Sequence, residues 1–385
     1  MALLATIFAQ LGRAFLARIK YRLKPIEFRP ERSAAADLGP LYFLLFYTQN
    51  HMGKHFVGFD VGGTTVKSMM VDEAGKQVGD MVEIRSHVRE GYRRTFSQIE
   101  ESMRLLCEAN GVSADGIAAV GLDVPAPCSK GVIWGRANLS EDWVGTDICK
   151  ELAEDIGKPV TMMNDGNAAA YGEWLLREDH DSGLLLMAPG TGLGGGLVSP
   201  DGVPYEGAFG LALEVSDGTV PFDEDGRIPS DATGREGCLE ASVSLVALRR
   251  QLQIALSKDE HQDHELAKSE VPIEEKALSL RDYAEQGDDL ALELFQKQAH
   301  ILGYGIGDLV SILDPGLVVI GGGLAESKFR DWYLDAVKYG FDNRAAPFYK
   351  QRPIPPHDAT TKFDWAIGGD AAPAFGVARK AMALV

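Results

Sequence analysis

Short apolar runs that end in glycine or a polar residue alternate with segments of helical spacing through the first half of the chain. Four of these runs predict buried strands, at 55–62, 65–72, 117–125 and 158–165. Helical spacing at 92–110 and 166–176 predicts helices between and after them. Strands that alternate with helices are typical of a sheet covered by helices, so the pattern indicates an α/β domain.

The second half repeats part of this pattern. Residues 183–202 predict a strand, a glycine turn, a second strand and a further turn, as residues 56–75 do. A duplicated hairpin unit indicates two related halves, which agrees with a length of 385 residues at about 100–200 residues per domain. The other predicted elements are helices at 240–257, 276–313 and 369–384, a strand, glycine turn and helix at 316–327, and a charged loop or helix face at 258–275.

The first 51 residues differ from the rest in charge. They contain seven Lys or Arg and three Asp or Glu, so they carry +4 while the remainder carries −22. Apolar side chains recur there at helical spacing, at Leu4, Phe8, Leu11, Phe15 and Ile19. The pattern fits an amphipathic membrane-surface or targeting helix, or sequence that is not native, because Met52 lies three residues before the first predicted strand. We expect the second: residues 1–51 are an extension that is disordered or non-native.

Composition limits the partners and the compartment. A net charge of −18 repels nucleic-acid phosphates and anionic membranes, so we expect no nucleic acid and no membrane partner. No apolar run approaches the roughly 20 residues that cross a bilayer. Four cysteines without a CxxC pair suit a reducing cytosol, so we expect a cytoplasmic protein.

Glycine clusters follow three of the predicted strands. They are Gly62-Gly63-Thr64-Thr65, Gly190-Thr191-Gly192 with Gly194-Gly195-Gly196, and Gly321-Gly322-Gly323. Consecutive turn N–H groups form a concave anion site, and glycine lets a ligand approach the backbone closely. One cluster alone would be an ordinary hairpin, whereas three of them, two with threonine, favour a site for nucleotide phosphates.

Two other phosphate-binding motifs are excluded. The chain has no GxxxxGKS/T sequence, which a P-loop requires. Residues 190–195 match GxGxxG, but a predicted strand follows them instead of the helix that dinucleotide binding needs. Lys67, on the second strand, either approaches a phosphate or extends along the surface.

Polar side chains stand at the ends of two predicted strands. Asp60 precedes the first glycine cluster, where a carboxylate holds Mg²⁺ directly or through water, or else caps the turn. Asn164 and Asp165 end another buried strand, where polar groups are costly unless they have partners. Asn167 is expected to brace the start of the helix that follows.

These motifs resemble the ROK family (repressors, open reading frames and sugar kinases) of the actin-like ATPase superfamily, and its glucokinases most. The resemblance covers residues 54–385 and rests on "GFDVGGTTVK", "NDGNAAAYGE", "APGTGLGGGLV", "GREGCLEA" and "VVIGGG", which occur in family order. It implies a two-domain α/β fold, actin-like and ribonuclease H-like, with the active site in the interdomain cleft. We expect domains at 52–172, with the first phosphate loop and catalytic Asp, and at 173–367, with the second phosphate loop and nucleoside site. Residues 368–385 are expected to form a helix that packs back on the first domain.

The resemblance also implies roles for single residues. Asp165 resembles the catalytic base, directed at the 6-hydroxyl of a hexose, with Asn164, Glu214, Glu240 and Asn138 as sugar contacts. ATP with Mg²⁺ is the implied phosphate donor, and a homodimer or dimer of dimers is the implied assembly. The implied nucleotide contacts are Gly62, Gly63, Thr64, Thr65, Lys67, Gly190, Thr191, Gly192, Gly194, Gly322 and Gly323, and Asp60 is the implied Mg²⁺ residue.

One segment departs from the family pattern. Family members with a structural zinc have a histidine where this chain has Asp217, and cysteines where it has Asp231 and Thr233, which leaves only Cys238. A structural zinc site takes four Cys or His ligands, so we expect no zinc. In the family that histidine also touches the sugar, so Asp217 becomes a candidate sugar contact and the choice of hexose stays open.

Alternatives to an ATP-dependent glucokinase follow from this departure. One is a kinase for mannose, fructose, allose or an N-acetylated amino sugar, and another is a polyphosphate-dependent glucokinase. A sugar-sensing repressor would need an N-terminal winged-helix domain, for which residues 1–51 are too short. A binding protein without chemistry is disfavoured because Asp60 and Asp165 are both present.

Overall fold

The computed structural model of the chain describes residues 53–135, 138–178, 182–222, 224, 226–350 and 361–385. The expectation for residues 1–51 therefore lies outside the described residues. Among the residues that are described, no helix is both long enough and apolar enough to cross a bilayer.

The described elements alternate between strands and helices, with most of the helices in the second half. The strands are β1 (His55–Val61), β2 (Thr65–Val71), β3 (Gln77–Arg85), β4 (Ile117–Val124), β5 (Cys128–Ser129), β6 (Val132–Ile133), β7 (Val160–Asn164), β8 (Leu184–Pro189), β9 (Leu193–Val198), β10 (Leu317–Ile320) and β11 (Lys362–Trp365). The helices are α1 (Tyr92–Asn110), α2 (Ile148–Ile156), α3 (Asp165–Leu175), α4 (Glu240–Val243), α5 (Leu245–Leu256), α6 (Glu265–Lys268), α7 (Ile273–Glu285), α8 (Asp289–Leu313), α9 (Arg330–Arg344), α10 (Pro347–Lys350) and α11 (Ala372–Ala381).

The first sheet has the strand order β3-β2-β1-β4-β7. Its first three strands form antiparallel pairs, whereas β1, β4 and β7 run parallel. Side chains alternate across β1, so that Val57 and Phe59 enter a core with α1, while Phe56 packs against α11 on the opposite face. The carboxyl ends of the three parallel strands consequently lie along one edge of the sheet.

The second sheet repeats this arrangement with the order β11-β10-β8-β9. The β8–β9 hairpin is antiparallel like β1–β2, and β8, β10 and β11 are parallel like β1, β4 and β7. The predicted duplication of a hairpin unit is therefore confirmed. A separate hydrophobic core joins this sheet to α5, α7, α8 and α9.

Capping side chains divide two stretches that were predicted as single helices. Ser244 is extended, and its hydroxyl accepts a hydrogen bond from the Ala247 N–H, so the predicted helix at 240–257 becomes α4 and α5. Asp288 caps α8 in the same way and separates it from α7. The predicted helix at 92–110 is confirmed with its bounds.

The C-terminal helix α11 packs on the first sheet through close backbone contacts. A Cβ atom at Gly58 would lie 1.9 Å from the carbonyl oxygen of Ala374, and one at Gly121 would lie 2.0 Å from that of Val377. Only glycine allows the helix to approach β1 and β4 this closely. The last helix of the chain is thus held against the strands whose ends carry Asp60 and Asp123.

Candidate active site

Three aspartates stand at one edge of the first sheet. Asp60 and Asp123 are direct neighbours in the parallel register of β1 and β4, and Asp165 follows the last residue of β7. Burial raises the pKa of Asp165 to about 6. The Gly166 N–H, which donates to its Oδ1 at 2.9 Å, opposes this shift, whereas the negative charge of Asp60 adds to it. The Asp165 carboxyl is thus ionised at neutral pH, and because its pKa lies close to that pH, the carboxylate can accept a proton.

Asp123 is a member of this group that the sequence analysis missed. Its side chain is fully buried, and neither carboxyl oxygen has a hydrogen-bond partner among the described residues. Burial, then the negative charges of Asp60 and Asp165, raise its pKa well above the usual range for a carboxyl group. An acidic residue inside the apolar run "IAAVGLDVP" was the available signal, because an unpaired charge in a buried strand is costly.

Asn164 fixes the start of the helix that carries Asp165. Its Oδ1 accepts hydrogen bonds from the N–H groups of Gly166 at 3.0 Å and Asn167 at 3.4 Å, as an N-cap residue does. The expectation that Asn167 braces this helix is wrong, because Asn167 already lies in the first turn and is itself capped. Asn164 keeps its amide nitrogen for other contacts.

A cavity of about 540 Å³ brings many of the candidate residues together. Its lining contains Asp60, Asn164, Asp165, Gly190, Thr191, Gly192, Gly194, Glu214 and Glu240. The residues at the carboxyl ends of β1 and β7 in the first half of the chain therefore face the glycine turn and the two glutamates of the second half.

Small residues allow the two halves to approach each other at the cavity. A Cβ atom at Gly166 would lie 2.3 Å from the carbonyl oxygen of Gly195, and one at Gly196 would lie 2.6 Å from that of Gly166. The start of α3 is thus in direct backbone contact with β9. This contact places Asp165 opposite the Gly190–Gly194 turn.

The two glutamates are held differently. Glu240, the first residue of α4, accepts a hydrogen bond from the Leu193 N–H at 2.8 Å, so it is joined to the glycine turn. Glu214 is exposed on the cavity wall, where partial desolvation and the charge of Asp217 raise the pKa of its carboxyl while Arg235 lowers it. Both carboxylates retain acceptor positions for hydroxyl groups.

A second cavity of about 400 Å³ continues from the first, because Gly190 and Thr191 line both. Its wall is largely apolar and includes the exposed side chain of Leu278. The Arg281 guanidinium closes one side by donating to the carbonyl oxygen of Gly323 at 3.0 Å. A phosphate chain at the glycine turn would lead directly into this apolar space, which suits a nucleoside.

Several candidate residues lie outside the described lining of both cavities. The first glycine cluster, Gly62 to Thr65, begins two residues after Asp60 but lines neither cavity, and Gly322 packs on the backbone of Pro189. Lys67 is paired with Asp370 by an ion pair. The remaining two, Asn138 and Asp217, are exposed.

The aspartate pair offers a place for a divalent cation. Mg²⁺ is usually held by one or two carboxylates and completes its coordination with water and phosphate oxygens. Burial raises the pKa of Asp60, and the positive charge of Lys67 offsets only part of this rise. Among the described residues, no group of three or more His, Cys, Asp or Glu is arranged around a common metal position. The residues present fit a cation shared with phosphate groups.

A guanidinium occupies the segment where the family resemblance would put zinc ligands. Arg235 forms ion pairs with both Asp217 and Asp231, and the Asp231 side chain is fully buried. A cation held between these carboxylates disfavours a second cation at the same place. The absence of zinc stays a prediction that metal analysis of the purified protein would test.

Comparison with known proteins agrees with this geometry. The model of the ROK family matches residues 56–378. The glucokinase of Halalkalibacterium halodurans is 31% identical over 308 residues, which cover 76% of this chain and 86% of that protein. The chain therefore belongs to the ROK family.

Two solved structures extend the comparison to the fold. The ROK hexokinase from Thermus thermophilus is 28% identical with a TM-score of 0.66, over 86% of this chain and 98% of that one. A ROK family glucokinase from Streptomyces griseus, solved with glucose and AMPPNP, is 25% identical with a TM-score of 0.65, over 85% of this chain and 99% of that one. The predicted actin-like ATPase fold is confirmed, and the protein is a sugar kinase.

Proposed function

We propose that the protein transfers the terminal phosphoryl group of ATP to the 6-hydroxyl of a hexose, and that the hexose is glucose. The observation that carries this proposal is the position of Asp165, partly buried at the cavity and opposite the Gly190–Gly194 turn. Support for glucose and ATP comes from the glucokinase relatives, one of them solved with glucose and AMPPNP.

The proposed base acts on the acceptor hydroxyl. With a pKa of about 6, the Asp165 carboxylate is ionised at pH 7 and accepts the proton as the hydroxyl attacks phosphorus. Phosphoryl transfer needs positioning and charge stabilisation more than covalent chemistry, so the carboxylate works by its location. The N–H group of Gly166 keeps one oxygen of the carboxylate oriented and leaves the other for the substrate.

The remaining groups bind and orient. Glu214, Glu240 and the free amide of Asn164 supply acceptors and donors to sugar hydroxyls, since charged acceptors give the stronger hydrogen bonds. In this turn the Gly190 N–H donates to the Gly192 carbonyl and the Leu193 N–H donates to Glu240, so the N–H groups of Thr191 and Gly192 are the donors offered to phosphate oxygens. Asp60, with Asp123 beside it, would hold Mg²⁺, which when bound neutralises phosphate charge.

We also propose a cytoplasmic enzyme that acts as a homodimer or dimer of dimers, at the entry of hexose into glycolysis. The cysteines of the described chain, Cys107, Cys128, Cys149 and Cys238, are all free thiols, which suits a reducing compartment. Light scattering of the purified protein would measure the assembly, and a monomeric mass at micromolar concentration would contradict the proposal.

An ADP-release assay across a panel of hexoses, with ATP and polyphosphate as competing donors, tests the function. We expect the highest kcat/KM with glucose and ATP. Faster turnover of mannose or of an N-acetylated amino sugar would reassign the substrate, and a preference for polyphosphate would reassign the donor. No turnover of any hexose would refute the proposed function.

Asp165→Asn tests the role of the base in the same assay. Asparagine keeps the shape of the side chain and can still be oriented by the Gly166 N–H, but it cannot accept the proton. We expect kcat to fall by about 10²–10⁴-fold with little change in melting temperature. A variant that kept most of its turnover would rule out Asp165 as the base.

A further inference from the structure

One arginine joins two carboxylates in the segment between the hexose-binding candidates Glu214 and Glu240. The Arg235 guanidinium donates to Asp231 from Nε at 2.8 Å and pairs with it from Nη2 at 2.7 Å, while Nη1 donates to Asp217. We call these three residues the arginine clip. Asp217 lies three residues after Glu214, and Arg235 lies five residues before Glu240.

The buried end of the clip is well satisfied. Asp231 has a fully buried side chain, and its Oδ1 accepts hydrogen bonds from the Thr233 N–H at 2.8 Å, the Thr233 hydroxyl at 2.7 Å and the Arg235 N–H at 3.0 Å. Burial would raise the pKa of Asp231, but the hydrogen bonds from Thr233 and Arg235 outweigh it and hold that pKa well below its usual range. Asp231 is therefore a fixed anionic anchor.

The other end of the clip holds a segment that is under conformational strain. Leu213 has φ 66, in the left-handed region that residues with a side chain rarely adopt. It directly precedes Glu214 on the cavity wall. Such a conformation persists only where surrounding contacts enforce it.

Backbone pairing links the same two segments alongside the clip. The Leu239 N–H donates to the Gly218 carbonyl at 2.6 Å, and the Val220 N–H donates to the Gly237 carbonyl at 2.9 Å. On the N-terminal side of Asp217, no strand of the described chain pairs with this segment, and Val215–Asp217 forms a single short helical turn. Arg235 therefore provides a side-chain cross-link for this segment, in addition to the packing of the buried Val215 against Gly195 of β9.

We propose that Arg235 is a positioning residue for the hexose: by tying Asp217 to the buried Asp231, it fixes Glu214 at the cavity wall without a metal ion. This inference rests on the proposed function. Arg235 and Asp217 do not line the cavity, so they act through Glu214 rather than on the substrate.

The first test is hydrogen exchange of the ligand-free protein. Arg235→Met keeps much of the side-chain length and removes all of the donors, whereas Arg235→Lys keeps the charge and loses the fork that engages two carboxylates. Arg227→Met, an exposed arginine of the same segment, makes the same charge change and is the matched control. We expect faster exchange of the Asp217, Val220 and Leu239 amides in Arg235→Met, partial recovery with lysine, and no change in the control.

The second test separates positioning from general stability. In steady-state kinetics, Arg235→Met should raise the hexose KM about tenfold or more while kcat and the ATP KM stay within about threefold. Asp217→Asn, which leaves the buried Asp231–Arg235 pair intact, should give a similar rise, and the double variant should cost little more than either single one. Asp217→Asn also serves if Arg235→Met fails to fold.

The outcomes decide between the possibilities. Unchanged exchange and unchanged hexose KM in both Arg235→Met and Asp217→Asn would overturn the inference. Faster exchange with no change in the hexose KM would make the clip purely structural and would also overturn it. A wild-type protein that turned over no hexose would refute the proposed function, and the exchange comparison would still decide whether Arg235 fixes the Glu214 segment.

Discussion

The proton affinity of Asp165 is set by its position between a strand end and a helix start. Burial raises its pKa to about 6, and the hydrogen bond from Gly166 only moderates that rise. Because the folded pKa lies above the unfolded one, the folded state binds this proton more tightly, and the contribution of this group to stability is lost as pH rises from about 4 through 6. The proposed role as base requires the ionised form, so we expect activity and stability to change in opposite directions across this range.

This reasoning predicts an acidic limb in the pH profile. We expect kcat/KM for the hexose to fall about tenfold per pH unit below pH 6, since the protonated carboxyl cannot accept a proton. The low residual activity of Asp165→Asn should lack the limb. A wild-type limb near pH 4, or an unchanged limb in Asp165→Asn, would contradict the assignment.

Asp123 leads to a prediction about stability. Its pKa is raised by burial and by the charges of Asp60 and Asp165, so its contribution to stability declines as pH rises above about 4. Asp123→Asn cannot ionise, and in EDTA we expect it to melt at a higher temperature than the wild type by an amount that grows from pH 4 to pH 8. Melting curves of both proteins recorded at pH 4, 6 and 8 would measure this difference.

An exposed aspartate provides the control for this measurement. Asp115→Asn removes one charge just before the same strand and should leave the melting temperature unchanged. If Asp123→Asn melted below the wild type throughout the range, then the Asp123 carboxylate would have to be ionised and bound by a donor.

At the scale of elements, two glycines of the β8–β9 turn, Gly192 and Gly194, have different surroundings. A Cβ atom at Gly194 would meet nothing within 4 Å, whereas one at Gly192 would lie 2.5 Å from the Glu240 carboxylate. Gly194 lines the cavity, so the open space beside it is available to a ligand.

The two alanine variants should therefore fail differently. Gly194→Ala should fold normally and raise the ATP KM roughly tenfold, because its methyl group occupies the approach of the phosphates. Gly192→Ala should displace Glu240 and raise the hexose KM instead. Initial rates with each substrate varied in turn, together with melting temperatures, would show the contrast. Equal effects of both variants on both KM values would contradict the division of tasks.

The elements differ in how far their sequence determines them. The β1–β2 and β8–β9 hairpins could be predicted within one or two residues because glycine interrupts a continuous apolar run. Helix α9 was missed, although its buried residues Tyr333, Val337 and Phe341 recur at helical spacing, because charged residues between them masked the pattern. The sequence predicts one helix at 240–257 in place of α4 and α5, because capping by Ser244 depends on a rotamer that sequence does not reveal.

The candidate site shows the same division. Asp60, Asp165 and the second glycine turn could be predicted, since each stands at the end of a predicted strand or joins two of them. The seating of α11 against Gly58 and the arginine clip could not, because they depend on contacts between residues that are distant in sequence or on side-chain directions. Asp123 lies between these cases: its position in a strand was predicted, but its neighbour Asp60 became visible only with the register of β1 and β4.

At the scale of the whole described molecule, the cavity draws its groups from both halves of the chain. Asp60, Asn164 and Asp165 belong to the half built on the first sheet, whereas Glu214 and Glu240 belong to the half built on the second. A hexose can form hydrogen bonds to both sets at once only when the two halves approach each other, so its binding is strongest in that arrangement. Closure of this kind also excludes water from the phosphoryl group.

We therefore expect the hexose to compact the protein. Small-angle X-ray scattering should show a smaller radius of gyration with saturating glucose than without it, and a sugar alcohol that is not a substrate should leave the radius unchanged. The Asp165→Asn variant should still close, since it loses the proposed base but keeps the sugar-binding groups. The double variant Glu214→Gln with Glu240→Gln should close only at a much higher glucose concentration, because the second half has lost its charged acceptors. The scattering is measured at a glucose concentration about 100 times its Kd, where binding adds about 2.7 kcal/mol to the free energy of unfolding. If the wild type shows this added stability but an unchanged radius of gyration, the cavity binds its substrate without domain closure.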